Sequence, residues 1–153
     1  MSHISNDTEF RQALQGLDAV QQRIAAAMFV EHVLSLTEDH RLNQAVSIAA
    51  DSNASADEIA SALKSAKAAT FDSHTRCGAE CNWTEQAGYF VARATVAALT
   101  PQAQSKSANP AWQAAMSSRM AQTSLLIDSE SNELATHSES EWQYEALSNY
   151  LKT

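Results

Sequence analysis

Apolar residues return every three to four positions along most of this chain. That is the spacing of an amphipathic helix rather than the alternation of a strand. Divided at capping residues and helix breakers, the pattern predicts about seven helices. The first spans about 8–15, with Asp7 as its N-cap and Gly16 suited to a left-handed C-terminal turn. The second spans about 19–36 and opens on a capping box, Asp18 with Gln21. Val20, Ile24, Ala27, Met28 and Leu34 line one side of it, and Ala26, Phe29, Val33 and Leu36 the other. A helix apolar on two sides belongs at the centre of a bundle.

The third helix, about 41–50, carries the stripe Leu42, Ala45, Val46 and Ala49, and 51–54 reads as a loop. Ser55 and Glu58 form a second capping box for a helix running to about Arg76 or Cys77. Its stripe is Ile59, Leu63, Ala66 and Thr70, flanked by Ala62 and Ala69. Asn82 caps a fifth helix over 83–99, which is alanine-rich on both sides and is the second central helix. Its alanines and Gly88 let a neighbour approach closely. After a polar linker at 101–108, Asn109-Pro110 opens a sixth helix with Trp112, Ala115, Met116, Met120, Thr123, Leu126 and Ile127 on one face. Residues 128–140 read as a polar loop or frayed helix, and 141–151 as a last helix. The fold class is therefore all-α: one irregular bundle of six to seven helices spanning 1–153, with 19–36 and 83–99 central.

Composition strengthens this picture. Only 3 glycines and 2 prolines occur in 153 residues, too few turn-formers for an all-β domain. The net charge is −8, and the few cations are scattered. No nucleic-acid partner is expected, because such binders present a basic patch. No membrane partner is expected either, since no segment approaches a membrane span. An acidic surface suits a basic protein partner, and a homo-oligomer stays open. The start of the chain lacks a signal-peptide pattern and only Cys77 and Cys81 are present, so a cytoplasmic location is expected.

Candidate chemistry is sparse. No phosphate loop, dinucleotide fingerprint or nucleophile elbow occurs, and no cofactor is expected. His74, Cys77 and Cys81 form a thiol-rich segment. It reads as structural, as a redox pair beside Arg76, or as part of a zinc site completed by His137 or Glu80. Glu31 falls within an apolar stripe, as does Arg119, while Arg93 borders one. A buried carboxylate needs a partner, so Glu31 is expected to pair with one of these arginines. That pair would fix helix register or line a ligand pocket. His32 reads as a half-buried or surface histidine, since no Glu-x-x-His spacing supports a di-metal site. Trp142, Tyr144 and Tyr150 in the last helix are candidates for a partner surface.

The pattern Val33-Leu34, Asp39, Arg41, Ala45-Val46 and Ala49-Ala50, continued by Ala56, Glu58, Ala62, Ala66 and Ala69, resembles small helical immunity proteins of bacterial toxin systems. The resemblance covers about residues 31–99. It implies a non-enzymatic protein that binds and neutralises a partner, and it transfers no functional residues. Two readings follow. One is a protein-binding domain, inhibitory or accessory, which leans against an enzyme. The other is a small-molecule or metal-binding protein with a pocket near Glu31, His74, Cys77 and Arg119.

Overall fold

The computed structural model describes residues 4–77, 83–101, 109–125 and 132–152. Among them lie seven α-helices and no strand: α1 (Asp7–Gln15), α2 (Ala19–Val33), α3 (His40–Ala50), α4 (Ala56–Cys77), α5 (Trp83–Leu99), α6 (Pro110–Leu125) and α7 (Asn132–Leu151). A 3₁₀ turn, Leu34–Leu36, ends the second predicted helix early. The chain is the all-α bundle its periodicity predicts.

Side-chain caps set most helix starts. Asp18 accepts from the Gln21 backbone N–H at 2.8 Å, and Gln21 returns the bond to the Asp18 N–H at 3.0 Å. Ser55 and Glu58 do the same for α4, at 3.1 and 2.9 Å. Asn109 Oδ1 accepts from the Trp112 N–H, opening α6 ahead of Pro110. Each such cap is worth about 1 kcal/mol. The first helix departs from expectation. Asn6, not Asp7, is its cap, accepting from the Glu9 N–H at 2.9 Å. Asp7 is thereby freed for another partner. Gly16 closes α1 in a right-handed conformation, with φ −78°, and not in the left-handed turn expected of it.

The core sits where α2, α5 and α6 meet. Helix α2 rests on α3, α5, α6 and α7, and α5 rests on α2, α3, α4 and α6, so both are central. The interior they share is mostly alanine. Ala25, Ala26, Ala92, Ala94, Ala98, Ala111, Ala114, Ala115 and Ala121 are all buried. Small side chains shorten the distance between helix axes, and α5 and α6 share the most extensive contact in the bundle. The Thr95 and Ser118 hydroxyls, also buried, donate to carbonyls one turn back, Val91 and Ala114. Helix α3 buries its predicted stripe of Leu42, Ala45, Val46 and Ala49. Arg23 of α2 closes the C-terminus of α3 by donating to the Ala49 and Asp51 carbonyls, where a cation also meets the negative end of the helix dipole.

One face and one helix start differ from those predicted. On α6, Met120 is 49% exposed, while Ala111, Ala114, Ser118 and Ala121 point inward. The close approach of α5 selects the small face, because a methionine there would hold the two helices apart. Leu126 and Ile127 lie outside the described residues. Helix α7 begins at Asn132, nine residues before the predicted start, so much of the segment expected as a loop is helical. Residues 102–108 of the predicted linker lie outside the described residues. Among the described residues, no helix is long and apolar enough to cross a membrane.

Candidate functional site

Helices α2 and α7 touch lightly, and a shallow groove of about 470 Å³ runs beside their contact. Met28 comes from α2, and Trp142, Glu145, Ala146, Asn149 and Tyr150 from α7. Positions 142, 146, 149 and 150 recur at helical spacing, so they share one stripe of α7. The floor is apolar, made by the Met28 and Ala146 side chains between two aromatic rings. Glu145 is exposed on the groove, and Glu31 and Glu141 are exposed on the same two helices. At the Tyr150 end, burial raises the Tyr150 hydroxyl above its ordinary pKa, and the Asp18 carboxylate adds to the effect. The groove is thus oily at its base, with the Glu145 carboxylate on its lining.

The Trp142 end is fixed by His32. The two rings stack with centroids 3.6 Å apart and planes 4° from parallel. His32 Nδ1 lies 3.0 Å from both carboxylate oxygens of Glu139. A carboxylate can only accept, so the proton of this bond sits on Nδ1. Glu139 is 2% exposed against 35% for His32. It also accepts from Gln122 Nε2 of α6 at 3.4 Å. One buried carboxylate therefore ties α2, α6 and α7 together and holds the wall of the groove.

A second polar cluster closes the other side of α7. Arg119 is buried on α6, as its position in an apolar stripe predicts. Its carboxylate partner is Asp7 of α1, at 2.9 and 3.2 Å, and not Glu31. Glu31 is exposed, because the core face of α2 passes through Ala26, Phe29, Val30 and Val33. The expected pair between Glu31 and Arg119 or Arg93 is not formed. Arg119 Nε also donates to Gln143 Oε1 at 2.8 Å, and Gln143 Nε2 donates to the Ala115 carbonyl at 3.0 Å. The Tyr144 hydroxyl donates to Asp7 at 2.7 Å. The Arg119 hydrogen bonds hold the Asp7 carboxyl below its ordinary pKa against the opposing effect of burial. Burial, followed by the bond to Asp7, raises the Tyr144 hydroxyl. Arg119 lies over the Phe10 and Tyr144 rings at 5.6 and 5.8 Å. With its donors engaged and its faces covered, this cluster is a structural clamp rather than an open site.

The remaining predicted residues are dispersed. Arg93 is exposed, with its guanidinium over Tyr89 and Phe90 of its own helix. His74 is exposed on α4, its ring 5.6 Å from that of Tyr89. Cys81 and the side chains of Cys77 and His137 lie outside the described residues. Among the described residues, no group of three or more His, Cys, Asp or Glu is placed to hold a metal. Neither Glu31, His74 nor Arg119 lines the α2–α7 groove, or a smaller apolar cleft of about 170 Å³ between α2 and the end of α5. Of the three predicted partner-surface residues, Trp142 and Tyr150 line the groove, and Tyr144 turns inward to Asp7.

Sequence reasoning missed Met28 and Glu139. Met28 packs partly against the core, as its spacing predicts, but spacing does not reveal its place on the groove, and Glu139 falls in a stretch too polar to read as packed helix. No family model matches the chain, and no curated protein or solved structure matches it either.

Proposed function

We propose that this chain is a non-enzymatic, cytoplasmic protein-binding domain that seats a basic, partly apolar segment of its partner in the α2–α7 groove. The supporting observation is the groove itself: an apolar floor of Met28, Ala146, Trp142 and Tyr150 beside the exposed Glu145, with Glu31 and Glu141 exposed on the same two helices. Grooves of this kind accept the apolar face of an amphipathic helix, and the surrounding charge steers a basic partner to it. The stacked His32–Trp142 pair, held by Glu139, keeps one wall in place before binding, which lowers the ordering cost of association. An inhibitory or accessory role agrees with the resemblance to immunity proteins. The test is fluorescence anisotropy with a fluorescein-labelled helical peptide of leucine and lysine. Saturable binding that weakens with salt and is lost in Ala146→Arg supports the reading. Absence of saturable binding at low salt, or binding indifferent to Ala146→Arg in a variant with native circular dichroism, would sink it.

A further inference from the structure

Phe71 on α4 is 71% exposed, the most exposed large apolar side chain among the described residues. Ala62, Ala66, Ala69 and Ser73 form the buried face of that helix. At 3.6 residues per turn, Phe71 lies about half a turn around from them, at the outward pole. Lys64 and Lys67 share its stripe, two turns and one turn back, and both are exposed. Ala60, also exposed, continues the stripe. The acidic neighbour Asp72 is drawn aside to Arg41 of α3 at 3.0 Å. In a chain of net charge −8, this stripe is a local reversal of sign around an aromatic ring. Among the described residues, packing within the bundle gives no reason for a phenylalanine there.

The stripe and the α2–α7 groove are complementary. One offers a projecting ring flanked by two ammonium groups. The other offers an apolar trough between two aromatic side chains, with Glu145 on it and Glu31 and Glu141 on its two helices. They share no element: α4 packs on α3 and α5, and α7 packs on α6 and α2. We infer that the occupant of the groove is α4 of a second copy of this chain, with Phe71 inserted between Trp142 and Tyr150 and Lys64 and Lys67 facing the glutamates. This rests on reading the groove as a docking site, and it names the partner. Because the two surfaces differ, the contact is heterologous, and copies add head to tail. The overall negative charge opposes any less specific stacking of copies.

Sedimentation velocity on the full chain tests this, with total concentration raised to about 500 μM, a range that covers the weak association of small interfaces. The expected result is a sedimentation coefficient that rises with concentration and falls back with added salt. Phe71→Asp and Glu145→Lys should each remain monomeric, with native circular dichroism. Their equimolar mixture should form a one-to-one dimer and nothing larger, since each supplies the surface the other lacks. A wild-type chain that stays monomeric throughout overturns the inference, as does a mixture that fails to dimerise. The labelled leucine–lysine peptide separates the two claims, with Phe71→Asp as the monomeric host. Peptide binding there alongside a monomeric wild type rejects α4 as occupant and leaves the groove reading standing. Self-association that survives Glu145→Lys, with no peptide binding, rejects both.

Discussion

Two regions of this molecule hold their helices together by opposite means. Where α2, α5 and α6 meet, most buried side chains are alanine, and much of the cohesion comes from backbones drawn close. Where α1 and α7 close over α6, cohesion comes from large rings and buried polar groups. Phe10 sits 5.5 Å from Phe29 and from Tyr144 and 6.1 Å from Trp112, while Arg119 and Gln143 bond beneath it. Most side chains of the alanine interior are already small, so truncation there removes little, while enlargement pushes apart helices that lie close. The ring-filled seam is the reverse, because each side chain there has many neighbours and its loss leaves a hole. One region should therefore fail on enlargement and the other on truncation.

The largest expected effect is Phe10→Ala, which empties a fully buried aromatic site among three other rings and should cost about 3–5 kcal/mol in urea denaturation. A cost under about 1 kcal/mol would mean that the seam is not packed as described. Next comes Arg119→Ala. It leaves the Gln143 carbonyl buried without its donor and uncovers Phe10 and Tyr144, at about 2–3 kcal/mol by the same measurement. In the other region, Ala94→Leu forces a larger side chain into the α2–α5–α6 interior and should destabilise by about 1–3 kcal/mol. A stabilised Leu variant would show that the alanines leave space, and the contrast would then disappear.

The smallest effect is electrostatic. Asp7 is half exposed, so Asp7→Asn should cost only about 1 kcal/mol at neutral pH. Its folded pKa is depressed by Arg119. Its contribution is therefore complete above the unfolded value of about 3.9 and is lost as pH falls through the folded value. Denaturation midpoints of wild type and Asp7→Asn should converge as pH drops below about 4. A gap that stays constant down to that range would mean the Asp7–Arg119 bond contributes nothing.

The same contrast governs how much of the structure could be read from the chain. Helix α3 was legible because its large apolar residues and its buried face coincide. Helix α6 was legible at Trp112, Ala115 and Met116, which pack on or in the core, and misread at Met120, because part of its interior face is Ala and Ser and a reading that ranks residues by hydrophobic size turns Met120 inward. The partner of Arg119 was misassigned because Asp7 lies 112 residues away and looked like a cap. Nothing local distinguishes it from Glu31. The wall of the groove was hidden for a similar reason: the partners that meet the buried Glu139 are remote, His32 107 residues earlier and Gln122 on α6. Phe71 was visible in principle. It falls off the stripe of Ile59, Leu63, Ala66 and Thr70, and an aromatic residue on the wrong side of a helix marks a surface to inspect.

The bond from Tyr144 to Asp7 spans 137 positions of the chain. During synthesis from the N-terminus, α1 emerges with its Phe10 ring and finds Phe29 early, but Trp112 and Tyr144 are translated much later. The first helix must therefore wait, partly unsheltered, until α7 has left the ribosome. Its docking is a late, entropically expensive closure.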